Sequence, residues 1–122
     1  MKYAALLTST AEAVVSWEAL SAEEARGLRA QEVPKWEALF GEIGASGKLV
    51  SGLELDSPTT AKTVRVRDGE TLVTDGPYAE TKELLGGLMV LRCDVLDEAI
   101  AIAARIPVVE RASVELRPIV ER

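Results

Sequence analysis

Histidine is absent from the 122 residues, and cysteine occurs once, at Cys93. The missing imidazole excludes Ser-His-Asp and Cys-His catalysis, imidazole-ligated zinc or haem, and any histidine-based pH switch. A lone cysteine forms no internal disulfide, which fits a reducing cytoplasm. Long apolar runs are also missing. The stretch Tyr3-Ala4-Ala5-Leu6-Leu7 is too short for a secretory h-region, and nothing approaches the ~20 apolar residues of a membrane span. Basic excess is missing as well. Fourteen Lys and Arg face 20 Asp and Glu, a net charge of −6, so nucleic-acid phosphate and anionic membranes would repel the chain. The densest basic cluster, Arg65 and Arg67 with Lys62, is interleaved with Asp68 and Glu70, too mixed for a phosphate track. A cytoplasmic protein with no direct nucleic-acid or membrane partner is expected.

What is present is an ordinary globular composition, 48% apolar and 28% charged. No repeat, low-complexity tract or linker divides the chain, so residues 1–122 read as one domain, long enough to bury a core without staples.

Tyr3 to Thr8 reads as a first strand, although propensity alone leaves helix open. Ser21 with Glu24 matches a capping box, and a helix is expected from about Ala22, with Ala25 and Leu28 as an apolar edge. Trp36, Leu39, Phe40 and Ile43 continue it as an i, i+3, i+4, i+7 stripe, with a kink or break at Pro34. Gly41, Gly44 and Gly47 read as its C-terminal punctuation rather than a dinucleotide fingerprint. Lys48 to Leu55 follows as a second strand. Thr63–Arg67 and Glu70–Thr74 then flank Asp68-Gly69, the preferred pair for a type I′ hairpin turn. A two-residue loop puts Arg67 opposite Glu70, Val66 opposite Thr71 and Val64 opposite Val73. Those apolar residues and Thr71 share one face, and Arg65, Arg67 and Glu70 the other, in a half-exposed ribbon.

Gly87 to Cys93 reads as a strand buried on both faces. Asp94 is expected to cap a helix from Val95 to Ile106, with Asp97 and Glu98 in its first turn, Arg105 in its last and Pro107 ending it. Ser113 to Val120 makes the last strand. Pro118 within it predicts an edge or a bulge. This order predicts an α+β fold, a ferredoxin-like βαββαβ sandwich with an inserted β-hairpin. Two helices cover one sheet face only. The first and fourth main strands are nevertheless apolar on both alternations (Tyr3, Ala5, Leu7 and Ala4, Leu6; Leu88, Val90 and Met89, Leu91). A second copy packed sheet to sheet is the simplest cover for the other face, and a homodimer is expected.

The segment with most potential chemistry is Asp75-Gly76-Pro77-Tyr78-Ala79-Glu80-Thr81-Lys82-Glu83. Asp-Gly-Pro bends a chain and Glu-Lys-Glu suits a solvated turn, so turn chemistry accounts for it without any function. As a site, Asp75 would be a partly buried carboxylate raised into the range of a general base. Lys82 or Arg92 would bind an anion or an enolate-like charge, and Tyr78 would stack on a ring. The competing reading of Asp75 is a strand-end carboxylate held by turn amides, with its pKa lowered. Other constellations carry less. Glu23, Glu24 and Glu32 have the spacing of a solvated helix face, and Asp94, Asp97 and Glu98 that of a cap and first turn, so no metal site is expected. Cys93, beside Asp94, reads as a small core residue, and the serines and threonines lack an imidazole base.

The same nine residues resemble the signature of the YCII-related proteins, in the branch named for its DGPF motif. Met1-Lys2-Tyr3, Thr63-Val64-Arg65 with Asp68-Gly69, Gly86-Gly87, Ala104-Arg105-Ile106-Pro107 and Val114-Glu115-Leu116-Arg117-Pro118 match further, so the likeness spans the chain. Tyr78 stands where the family usually has phenylalanine. The resemblance implies a dimeric α+β barrel of ferredoxin-like subunits. It also implies a link of such proteins to sigma factors and, in distant relatives, catalysis on small ring compounds by a histidine–aspartate pair. Only the aspartate, Asp75, has a counterpart in this chain. Two functions therefore stand as expectations. One is cofactor-free acid/base catalysis of isomerase or lyase type on a small organic molecule, with Asp75 catalytic and Gly76, Pro77, Tyr78, Lys82 and Arg92 binding substrate. The other is a non-catalytic regulatory or ligand-binding module with a sigma-factor-linked or other protein partner.

Overall fold

The computed structural model describes residues 1–76 and 83–122. Strand β1, Lys2–Thr10, runs directly into helix α1, Ala11–Glu18, and helix α2 follows over Ala22–Ala45. Strand β2, Leu49–Glu54, leads through a 3₁₀ turn at Pro58–Thr60 into the hairpin of β3, Lys62–Arg67, and β4, Glu70–Asp75. Strand β5, Glu83–Arg92, helix α3, Leu96–Ala103, a 3₁₀ turn at Pro107–Glu110 and strand β6, Val114–Pro118, complete the order. The main sheet has the order β2-β5-β1-β6 with every pairing antiparallel. This is the ferredoxin-like α+β arrangement, with the β3–β4 ribbon inserted as a separate two-stranded sheet.

Alternation along the central strands sets the core. Tyr3, Ala5 and Leu7 of β1 lie buried beside Met89 and Leu91 of β5. Leu39 and Ile43 from α2, and Ala99, Ile102 and Ala103 from α3, close over them. The opposite sheet face carries Ala4, Leu6, Leu88, Val90 and Leu53. These are half-buried or, at Leu53, exposed in the single subunit. So β5 is buried on one face only within one copy. Pro118 sits on edge strand β6, where its missing N–H costs no central ladder bond.

The helix termini follow local chemistry where side chains can reach. The Ser21 hydroxyl accepts from the Glu24 amide at 3.1 Å, and the Glu24 carboxylate accepts from the Ser21 amide at 3.0 Å, completing the capping box. The Ser21 amide donating to it, and after that the Ser21 hydroxyl beside it, hold the Glu24 carboxyl below its ordinary range. At the other end Gly47 has φ +76°, its N–H reaches Gly44 O, and the Lys48 N–H reaches Ile43 O, a Schellman termination.

Three expectations need correction. Pro34 does not break α2, which runs unbroken through it. The ring removes one hydrogen bond, and at this exposed position water can reach the carbonyl left over. Asp94 is not the cap of α3. Val95 occupies that position with no side-chain bond, and the helix ends at Ala103, before Arg105. The Arg105 guanidinium instead donates to Glu42 at 2.5 Å, tying α3's exit to α2. Finally, α1 was not expected. The Thr10 hydroxyl caps it by accepting from the Ala13 amide at 3.1 Å.

The hairpin register is as expected, with Arg67 opposite Glu70, Val66 opposite Thr71 and Val64 opposite Val73. Asp68 and Gly69 have φ of +52° and +78°, as a type I′ turn requires. The valine face points outward: Val64, Val66 and Val73 are 61%, 60% and 58% exposed.

Gly47→Ala is expected to cost about 1–2 kcal/mol, because a Cβ opposes the left-handed conformation. Leu91→Ala, which empties a fully buried position, is expected to cost about 2–5 kcal/mol. Urea denaturation of both variants checks the order, and a larger loss at Gly47 than at Leu91 contradicts this account of the core.

Candidate functional site

Asp75 ends β4 opposite Lys62, and its carboxylate accepts a hydrogen bond from the Lys62 ammonium. The Asp75 side chain is 87% exposed. The partial burial expected of a general base is therefore absent in the single subunit. Its described partner is the Lys62 ammonium across the ladder. The pairing follows from the hairpin: with a two-residue loop, strand ends of matched length face each other, and here they carry opposite charges, while the turn beyond Gly76 that would supply amides lies outside the described residues.

Gly76 follows with φ +87°, a conformation that favours glycine. Its N–H donates to Ala61 O at 2.8 Å, and its carbonyl accepts from the Thr63 hydroxyl at 2.8 Å. These bonds close the base of the ribbon and hold Gly76 at the wall of a groove of about 270 Å³. Ala11, Val14 and Val15 of α1 form one side, and Pro58, Thr59 and Leu84 the other. The lining is almost wholly apolar. A neighbouring groove of about 310 Å³ shares Pro58 and Leu84 and adds polar groups from Asp56, Ser57 and Thr60. Pro77, Tyr78 and Lys82 lie outside the described residues. Arg92 is at the far end of β5 from Leu84, eight residues on and roughly 26 Å away at strand rise. One subunit thus brings Asp75 and Gly76 together but does not bring Arg92 to them.

A second cluster joins α1 to the 3₁₀ turn. The Ser57 hydroxyl donates to the Glu18 carboxylate, and the Thr59 hydroxyl reaches the same oxygen at 3.1 Å. The two hydroxyls lie 2.9 Å apart, and the Asp56 carboxylate accepts from the Ser57 amide at 2.7 Å. The sequence reading missed Val14, Val15, Ser57, Pro58 and Leu84 as site residues. The available signal was short: Thr10 as a cap before Ala11, Val14 and Val15 at i, i+3, i+4 spacing. Cys93 is buried as expected. Burial, and after it the Glu98 carboxylate, push its thiol above the ordinary range; Glu98, rather than Asp94, is the acidic neighbour.

Such apolar walls with a few hydroxyls at one edge suit the holding of a small organic molecule. No helix among the described residues is long and apolar enough to cross a membrane. The family model described as the YCII-related domain matches residues 1–122. The chain is also similar to an uncharacterised protein of Rhizobium meliloti (strain 1021), 39% identical over 105 residues, covering 84% of this chain and 77% of that one.

Asp75→Asn is expected to change folding stability by no more than about 1 kcal/mol, since the pair it breaks is exposed. A loss of several kcal/mol by chemical denaturation would contradict this. Cys93 has its folded pKa above its unfolded one, so its contribution to stability is complete below the unfolded value, near 8.5, and is lost as pH climbs through the folded value. Iodoacetamide is expected to label the native chain slowly at pH 8.5 and rapidly in denaturant; equal rates refute the burial argument.

Proposed function

The chain belongs to the YCII-related family, and from that premise we propose that it is a small-molecule-binding module that works as a homodimer packed sheet to sheet. The observation that carries the binding reading is the apolar groove walled by α1, Pro58, Gly76 and Leu84. Its volume suits a small ring or short-chain compound. Gly76, from the segment that resembles the DGPF motif, lines its wall, which supports Gly76 as a contact to the bound molecule. Binding is favoured over acid/base catalysis because Asp75 is solvated and paired with Lys62.

Two apolar surfaces without a partner among the described residues support the dimer. The open sheet face presents Leu6, Leu53, Leu88 and Val90, and the ribbon presents Val64, Val66 and Val73. Edge pairs such as Arg117 with Glu115, 2.5 Å apart on the same face as Leu6 and Ala4, give the apolar patch a charged border. An apolar centre with a polar rim is the usual anatomy of a subunit interface.

An anilinonaphthalene sulfonate titration tests the groove. The wild-type chain is expected to bind the dye, and Val14→Glu to weaken binding tenfold or more with an unchanged circular dichroism spectrum. Undiminished binding by the variant removes the groove as the site. Sedimentation equilibrium at micromolar concentration is expected to return twice the chain mass, and Leu88→Asp to return the chain mass itself. A wild-type monomer refutes the dimer.

A further inference from the structure

Helix α1 is the least anchored helix of the described chain. None of its eight residues is buried, whereas α2 and α3 each bury residues in the core. Its apolar stripe of Ala11, Val14 and Val15 nevertheless faces inward onto the groove shared with Pro58, Gly76 and Leu84. Val15 lines that groove and is still 69% exposed. The stripe therefore points at a space and packs on little among the described residues. An amphipathic helix gains most of its stability from the packing of that stripe.

What holds α1 in place is polar and peripheral. Glu18, its last residue, takes hydrogen bonds from the Ser57 and Thr59 hydroxyls of the 3₁₀ turn. The Arg29 guanidinium lies 5.3 Å from the Trp17 ring centroid and also pairs with Glu54 at 3.3 Å, both groups being accessible to solvent. Exposed bonds of this kind contribute little each and exchange readily with water. Before it, β1 shows a register shift against β5 between Leu7 and Thr8, with the pairs Thr8–Leu85, Ser9–Leu84 and Thr10–Glu83 leading up to Ala11, and at its far end only Ala19–Ser21 separates it from α2. A change in the direction of α1 therefore falls at Thr10–Ala11 and Ala19–Ser21, outside the buried core, and segments with few buried contacts open at low free energy.

The geometry points to α1 as a hinged gate over the groove, latched at Glu18 by Ser57 and Thr59. Unlatching swings the Ala11–Val14–Val15 stripe away from Pro58 and Leu84 and admits a small apolar molecule. The bound molecule then supplies the packing partner that the stripe lacks among the described residues, and α1 closes on it. Ligand binding and helix order are thus coupled through one surface. This inference rests on the groove being the binding site.

Two measurements on the full chain test it. In hydrogen exchange of the free protein, α1 amides are expected to exchange at least tenfold faster than those of β1, and to slow several-fold with anilinonaphthalene sulfonate bound. Amides of α1 as slow as those of β1 refute the gate. In the second measurement, Glu18→Cys and Ser57→Cys are combined and joined by a short, reducible bis-maleimide that clamps the latch outside the α1 groove. Cys93 is buried and left unlabelled. Stopped-flow association of the dye is expected to be about tenfold slower in the clamped form and to recover on reduction. Equal rates overturn the gate while leaving the groove intact. Loss of dye binding in the wild type, clamped and released forms alike overturns the groove itself, and the gate with it.

Discussion

Everything in this subunit hangs on the antiparallel pairing of β1 with β5. Nine residues of β1, from Lys2 to Thr10, find partners on β5, and the register sets Tyr3 against Leu91 and Ala5 against Met89. Those four side chains point the same way and form the floor on which Leu39, Ile43, Ile102 and Ile106 pack. A slip of one residue would turn the whole set over to the other face. The outer strands β2 and β6 then dock on the edges of this pair, each with fewer residues in register.

That pairing also decides where the candidate site lies. The N-terminal end of β5 and the C-terminal end of β1 meet at one edge of the molecule. There β1 passes into α1, and there the β2–β3 connection and the ribbon base come together at Pro58, Gly76 and Leu84. The walls are apolar, while the polar bonds sit at the margin between Glu18, Ser57 and Thr59. Arg92 emerges at the opposite end of the same strand, so the rigidity that builds the groove keeps that guanidinium out of it.

Local rules made some of this legible in advance. The Asp68-Gly69 turn set the hairpin register because a two-residue loop admits only one pairing, and the Ser21–Glu24 box is complete within four residues. Competing long-range terms defeated other readings. Pro34 stays helical because Trp36, Leu39 and Ile43 hold the following turns to the sheet. The short α1 escaped notice because eight residues are barely two turns, too few for its apolar positions, Ala11, Ala13, Val14, Val15 and Trp17, to establish a helical period. Asp94 lost the cap of α3 to Val95, and no local pattern of charges reveals such a shift.

The order of strands and helices, the two-sided apolar character of β1 and β5 and the ribbon's register were determined by the sequence itself, since each depends on residue spacing and on side chains a few positions apart. Tertiary structure alone decided which sheet face the helices cover, that Asp75 spends its charge on Lys62 in solvent, and that Val14, Pro58 and Leu84 share a groove. Those outcomes join residues tens of positions apart, and the distance between them is set by how the layers pack rather than by any local preference of the chain.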